Sequence, residues 1–136
     1  MRIAALDVGD ARIGVAVSDE LGITAQGIGV VARVGGRRDL EALSTLLAPY
    51  EPTLLVVGLP LELSGKEGPQ ATKVRVFATK AADHLGIPLE FQDERLTTVA
   101  AERALLEADL SRRRRRELID QVAATLILQA YLGRRG

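Results

Sequence analysis

Hydrophobic positions in this chain come first in short unbroken runs and later at helical spacing. Residues 3–6 and 13–17 are apolar runs joined through Asp7-Val8-Gly9-Asp10, the pattern of a β-hairpin. Residues 22–33 read as a third strand, loosened by glycines and ending at Gly35-Gly36. Leu40, Leu43, Leu46 and Leu47 then recur with helical periodicity, and Pro49 and Pro52 close that helix. Residues 53–57 form a continuous apolar strand suited to burial on both faces. A polar loop over 58–69 precedes a helix marked by Val74, Phe77, Ala78, Ala81 and Leu85, with Gly86 as its stop. Residues 89–92 predict a fifth strand running into Asp93-Glu94-Arg95. Thr97 or Thr98 is positioned to cap a helix carrying Ala101, Leu105 and Leu106. A last helix is expected over residues 117–132, led into by an arginine run.

Three closely spaced strands followed by alternating helices and strands imply an α/β fold. The expected sheet is mixed and five-stranded: the first three strands are antiparallel, the later ones parallel through helical crossovers, and helices flank both faces. The chain reads as a single domain over residues 1–136. Ligands of such sheets bind beyond the carboxyl ends of the parallel strands. Asp7 and Glu94 both fall at or near such an end.

Aspartate is a poor strand residue, so Asp7 calls for a reason. It serves either as a ligand for metal or phosphate beside a permissive glycine, or as a cap for the turn. Asp120 interrupts a helix that is apolar almost all round, and a lone buried carboxylate costs several kcal/mol unless paired, hydrogen-bonded or metal-bound. Its structural alternatives are the favourable dipole near a helix N-terminus or pairing with an arginine from 112–116. Three carboxylates from two strand ends and one helix repel one another unless cations intervene. Magnesium or manganese, with oxygen ligands shared with phosphate, suits so sparse a set and supports phosphodiester hydrolysis. His84 falls near a helix end, and Gly65-Lys66 fails the Walker pattern because Pro60 and Glu67 occupy its key positions.

The chain has equal numbers of acidic and basic residues, so it is no generic polycation. Yet Arg112, Arg113, Arg114, Arg115 and Arg116 are consecutive, and phosphate is the partner that guanidinium geometry fits best. The bland alternative is a solvated face in a chain that uses arginine as its default cation. Only Tyr50, Phe77, Phe91 and Tyr131 are aromatic, which argues against a base-stacking surface of the single-strand-binder kind. The chain has no cysteine and no apolar run of about 20 residues, the length needed to span a bilayer. With no export signal, the cytoplasm is the expected compartment.

Four marks, in order and nearly end to end, make the chain resemble the YqgF/RuvX family of small bacterial Holliday-junction-resolvase-like nucleases. They are Leu6-Asp7-Val8-Gly9 with Arg12-Ile13-Gly14-Val15-Ala16; Val57-Gly58-Leu59-Pro60 with Gly65 and Gly68; Asp93-Glu94-Arg95-Leu96-Thr97-Thr98; and Asp120 with Ala123-Ala124 and residues 127–132. The resemblance implies an RNase H-like fold and a metal-dependent nuclease that matures the 5′ end of pre-16S ribosomal RNA. It assigns catalysis and metal binding to Asp7, Glu94 and Asp120. Arg12 and Arg95, inside the same marks, join residues 112–116 as expected nucleic-acid contacts. In many RNase H-like nucleases the second carboxylate ends the fourth strand, here Val57-Gly58. This chain offers Asp93 and Glu94 after the fifth instead. Strand alternation puts those two on opposite faces if the strand persists through Glu94; the family pattern favours Glu94. Precursor rRNA is the expected partner, with branched DNA as the alternative substrate and a homodimer left open.

Two readings compete from other classes. Actin- and hexokinase-type phosphotransferases share the opening hairpin, but they need a second phosphate loop and an adenosine-binding segment that this chain does not offer. A non-catalytic RNA-binding module would keep the same carboxylates for structure.

Overall fold

Residues 1–96 and 112–135 are described by a computed structural model, with side chains for 1–95 and 118–135. Strands β1 (Ile3–Val8), β2 (Arg12–Ser18) and β3 (Ala25–Ala32) lead into α1 (Arg37–Leu47). They are followed by β4 (Leu54–Leu59), α2 (Pro69–Leu85), β5 (Leu89–Asp93) and α3 (Arg112–Arg135). The sheet order is β3-β2-β1-β4-β5; β1 pairs antiparallel with β2 and parallel with β4. This is the mixed five-stranded sheet that the hydrophobic pattern predicts, with β1 at its centre.

Strand alternation divides the core in two. Ala4, Leu6 and Val8 pack with Leu43, Leu47, Val74 and Phe77 beneath α1 and α2. Ile3 and Ala5 pack on the other face with Ala16, Val56, Ala123, Ala124, Ile127 and Leu128 beneath α3. The small side chains on that second face let α3 lie close against the sheet. Tyr131 closes its far end by donating its hydroxyl to Glu90 of β5. Burial, and secondarily this contact with Glu90, raises the Tyr131 pKa.

Several boundaries differ from the sequence expectation for local reasons. The third strand starts at Ala25, because the Asp19 carboxylate accepts hydrogen bonds from the Ile23 and Thr24 amides (2.7 and 3.0 Å) and holds the preceding residues in a turn. β4 runs on to Leu59 and β5 to Asp93, since those two residues are register partners. The last helix begins at Arg112, not at 117, so the arginine run lies inside it; arginine is a good helix former. Asp120 therefore sits beyond the second turn, where the N-terminal dipole no longer favours an anion. The helix is also less apolar around its circumference than expected, with Leu118 exposed. The helix expected after Thr97 or Thr98 lies outside the described residues, as do the side chains of Arg112 to Arg116.

Candidate active site

Asp7 lies on the central strand, buried, one residue before the end of β1. Its antiparallel partner on β2 is Gly14. On β4, Leu6 pairs with Val57, so Gly58 comes level with Asp7, and Gly58 in turn pairs with Gln92 of β5. Gly14, Asp7, Gly58 and Gln92 thus form one row across four strands. They share the face covered by α3, because register partners point the same way.

Glycine on both sides of Asp7 makes room for the helix turn that carries Asp120 and for the side chain of Glu94. A Cβ at Gly14 would overlap the Asp120 carbonyl and stand 3.2 Å from its Cα, so α3 approaches β2 closely only because that side chain is absent. A Cβ at Gly58 would stand 2.7 Å from Oε1 of Glu94 and would also meet Ile127. Glu94 belongs to the short 3-10 turn after β5 and reaches back over β4, into the space a side chain at position 58 would fill. A carboxylate carried at the end of the fourth strand would occupy that same space.

Asp93 takes the opposite course. It pairs in register with Leu59, which faces α1 and α2, and its carboxylate accepts hydrogen bonds from Arg95 Nη2 at 2.7 Å and Nε at 3.1 Å. The Arg95 hydrogen bond draws the Asp93 pKa below the usual aspartate value. Arg95 also donates to the Leu63 carbonyl (3.2 Å), fastening the loop after β4 to the end of β5.

Asp120 is paired with a residue far from it in sequence. Arg12, at the start of β2, donates from Nε to Asp120 Oδ2 at 2.6 Å, with side chains 32% and 14% exposed. Among the described residues, no three Asp, Glu, His or Cys side chains stand in chelating reach of one another. The donor chemistry nevertheless fits a hard divalent cation. Asp7, Glu94 and Asp120 offer only oxygen: Asp7 from within the row, Glu94 from over Gly58, and Asp120 from the helix turn over Gly14. Gln92 adds a buried Oε1 that has no hydrogen-bond partner among the described residues. His84 is exposed on the last turn of α2, away from this row.

The turn after β1 is braced from behind. Arg33 donates to the Gly9 carbonyl (3.1 Å) and meets Asp39 Oδ2 at 3.5 Å, while Asp39 accepts from the Val34 and Gly35 amides. Burial raises the Asp39 pKa, but those amides and Arg33 outweigh it and leave the group below its ordinary value.

The sequence marks out the carboxylates, and includes Gly14 and Gly58 in the marks of the resemblance without showing that they seat those carboxylates; Gln92 and Arg33 carry no such signal. Gly14 and Gly58 each interrupt a strand, the one available signal that backbone or another side chain approaches there.

A five-stranded mixed sheet bearing an acid on its central strand defines an RNase H-like, resolvase-type fold. The chain matches over nearly its whole length the structure of Thermus thermophilus RuvC in complex with a Holliday junction substrate (TM-score 0.54, 17% identity, 98% of this chain and 96% of that one). It also matches the fowlpox virus Holliday junction resolvase (TM-score 0.56, 15% identity, all of both chains). The chain belongs to the RuvX family, described as Holliday junction resolvase, whose model matches residues 1–134. It is 59% identical to a Moorella thermoacetica protein named "Putative pre-16S rRNA nuclease", over all of this chain and 97% of the relative. A Myxococcus xanthus protein of the same name is 57% identical, over 97% of this chain and 87% of the relative.

Proposed function

We propose that this protein is a metal-dependent nuclease that hydrolyses phosphodiester bonds at the 5′ end of precursor 16S rRNA. Asp7, Glu94 and Asp120 hold Mg2+ or Mn2+ and carry catalysis. The observation behind this reading is the row itself: Asp7 lies between two glycines, one under the Asp120 backbone and the other under the Glu94 carboxylate. A purely structural aspartate needs neither glycine. The names of the full-length relatives favour RNA as substrate.

When bound, a divalent ion supplies positive charge against the negative charge developing on the phosphate, and it activates the attacking water. The chain supplies the positioning. Asp7 is rigid because it is buried on the central strand. Glu94 approaches from β5, and Asp120 from α3. Arg12, once its hold on Asp120 is exchanged, is left beside the row as a phosphate contact. Arg95 keeps the loop after β4 in place at the rim. The arginines at 112–116 start the same helix as Asp120 and contact the phosphate backbone without reading bases.

The test compares wild type with Asp7→Asn on defined precursor RNA and on branched DNA, with Mg2+, Mn2+, Ca2+ or chelator. Cleavage of RNA is expected with Mg2+ or Mn2+ and not with Ca2+, whose looser coordination misplaces the reacting groups. Asp7→Asn should lower turnover by at least about a hundredfold, the scale of lost electrostatic stabilisation, while substrate binding weakens far less. Full activity in chelator refutes the metal reading. Cleavage of branched DNA alone would move the substrate to DNA.

A further inference from the structure

On the face of the sheet opposite Asp7, a cleft of about 560 Å3 opens between α1 and α2. It lies at the same end of β1: Val8, the residue after Asp7, lines it, and so does Asp10 of the following turn. Its floor is apolar, formed by Val8, Leu40, Val74 and Phe77. Its volume falls in the range of small-ligand sites.

One wall is a preformed plane. The Arg33 guanidinium lies 4.6 Å from the Phe77 ring centroid, pinned by the Gly9 carbonyl and by the buried Asp39 carboxylate. It remains 26% exposed and lines the cleft. A guanidinium plane backed by an aromatic ring and fixed at its edge is a platform on which a nucleobase stacks. The low aromatic count of the chain conceals it, because arginine supplies the exposed plane. Lys73 and Lys80 stand on α2 one turn either side of Phe77, on the same helix face. Arg33 already balances Asp39 and Arg37 pairs with Glu41, so among the lining charges Lys73 and Lys80 stand against Asp10. The cleft joins a stacking surface to an excess of positive charge, which is the chemistry of a nucleotide.

We propose that this cleft is a nucleotide subsite that takes one unpaired nucleotide of the substrate strand, its base on the Arg33–Phe77 platform and its phosphate between Lys73 and Lys80. The proposal rests on the nuclease reading and deepens it: the strand crosses the end of the sheet at the turn after β1. Because Arg33 grips the Gly9 carbonyl, two residues beyond Asp7, filling the cleft steadies the turn beside the carboxylate row.

The test is amide NMR of the full chain in chelator, titrated separately with adenosine 5′-monophosphate, adenosine, inorganic phosphate and a short single-stranded RNA. The monophosphate is expected to bind with a Kd of about 1 mM or tighter and to shift amides of residues 33–37 and 73–80. Adenosine and phosphate should each bind at least about tenfold more weakly, since each makes half of the contacts. The surface double variant Lys73→Glu/Lys80→Glu should weaken both the monophosphate and the RNA at least about tenfold with an unchanged Tm. Arg33→Lys, which keeps charge and loses the plane, should weaken the monophosphate but not phosphate. Asp7→Asn should leave monophosphate binding intact, so loss of cleavage in that variant bears on the nuclease reading alone. Shifts confined to the carboxylate row, phosphate binding as tight as the monophosphate, or RNA binding indifferent to the lysine variant would each overturn the proposal.

Discussion

Replacing Arg12 with methionine separates the two demands made on Asp120. In the structure Arg12 Nε meets Asp120 Oδ2 at 2.6 Å, with the side chains 32% and 14% exposed. An exposed ion pair contributes about 0.2–1 kcal/mol, and breaking a buried one costs about 3–5 kcal/mol. This pair is partly solvated, so about 2 kcal/mol is expected, as for a hydrogen bond to a charged group. Unfolding entropy scales with length, and for a chain of this size about 2 kcal/mol corresponds to roughly 7 °C in Tm. The metal-free Arg12→Met protein should melt lower by that amount. Mn2+ should reverse the order of effects. The cation and Arg12 compete for one carboxylate, so removing Arg12 should tighten Mn2+ binding at least about tenfold, or about 1.4 kcal/mol. The Tm deficit should then narrow as Mn2+ is added, following the linkage between binding and stability. Calorimetric titration with Mn2+ and melting curves at several Mn2+ concentrations measure both. Unchanged Mn2+ affinity together with a constant Tm deficit would refute the competition and leave Arg12–Asp120 a structural pair only.

Three further outcomes are expected. Gly14→Ala places a Cβ against the Asp120 backbone and should destabilise by about 3 kcal/mol, the upper end for overpacking; a urea midpoint shift under 1 kcal/mol would show that α3 can retreat freely. Asp39 has a folded pKa below its ordinary value of 3.8, so its contribution is present above that value and lost as pH falls through the folded pKa. The stability gap between wild type and Asp39→Asn should therefore be constant above about pH 5 and shrink below about pH 4, and a gap that persists in acid would contradict the depressed pKa. Replacing Arg113, Arg114 and Arg115 with alanine should weaken RNA and DNA alike and flatten the salt dependence of binding by roughly 0.7 to 0.9 in log–log slope per lost phosphate contact. Lost Tm with an unchanged slope would make the run a helix entry and no more.

The sequence by itself determined the elements and their order, because burial imposes a period of two on strands and 3.6 on helices. The apolar runs of β1, β2 and β4 and the leucine spacing of α1 are such signals, and the parallel pairing of β1 with β4 follows from the intervening helix. Asp7 was legible because an acid on a buried strand is costly. Asp120 was legible as the carboxylate that interrupts the apolar run beginning at Leu118. What only the tertiary structure decided is which groups meet. Pairing Asp7 with Gly14 and setting Gly58 level with it depend on strand register, and register comes from partners far apart in sequence. The same holds for Arg12 and Asp120, which are 108 residues apart, a pairing that no local pattern could name. Alternation placed Asp93 and Glu94 on opposite faces but left open which faced α3. The pairing of Asp93 with Leu59 decides that, because one backbone register turns Asp93 toward Arg95 and leaves Glu94 to cross over Gly58.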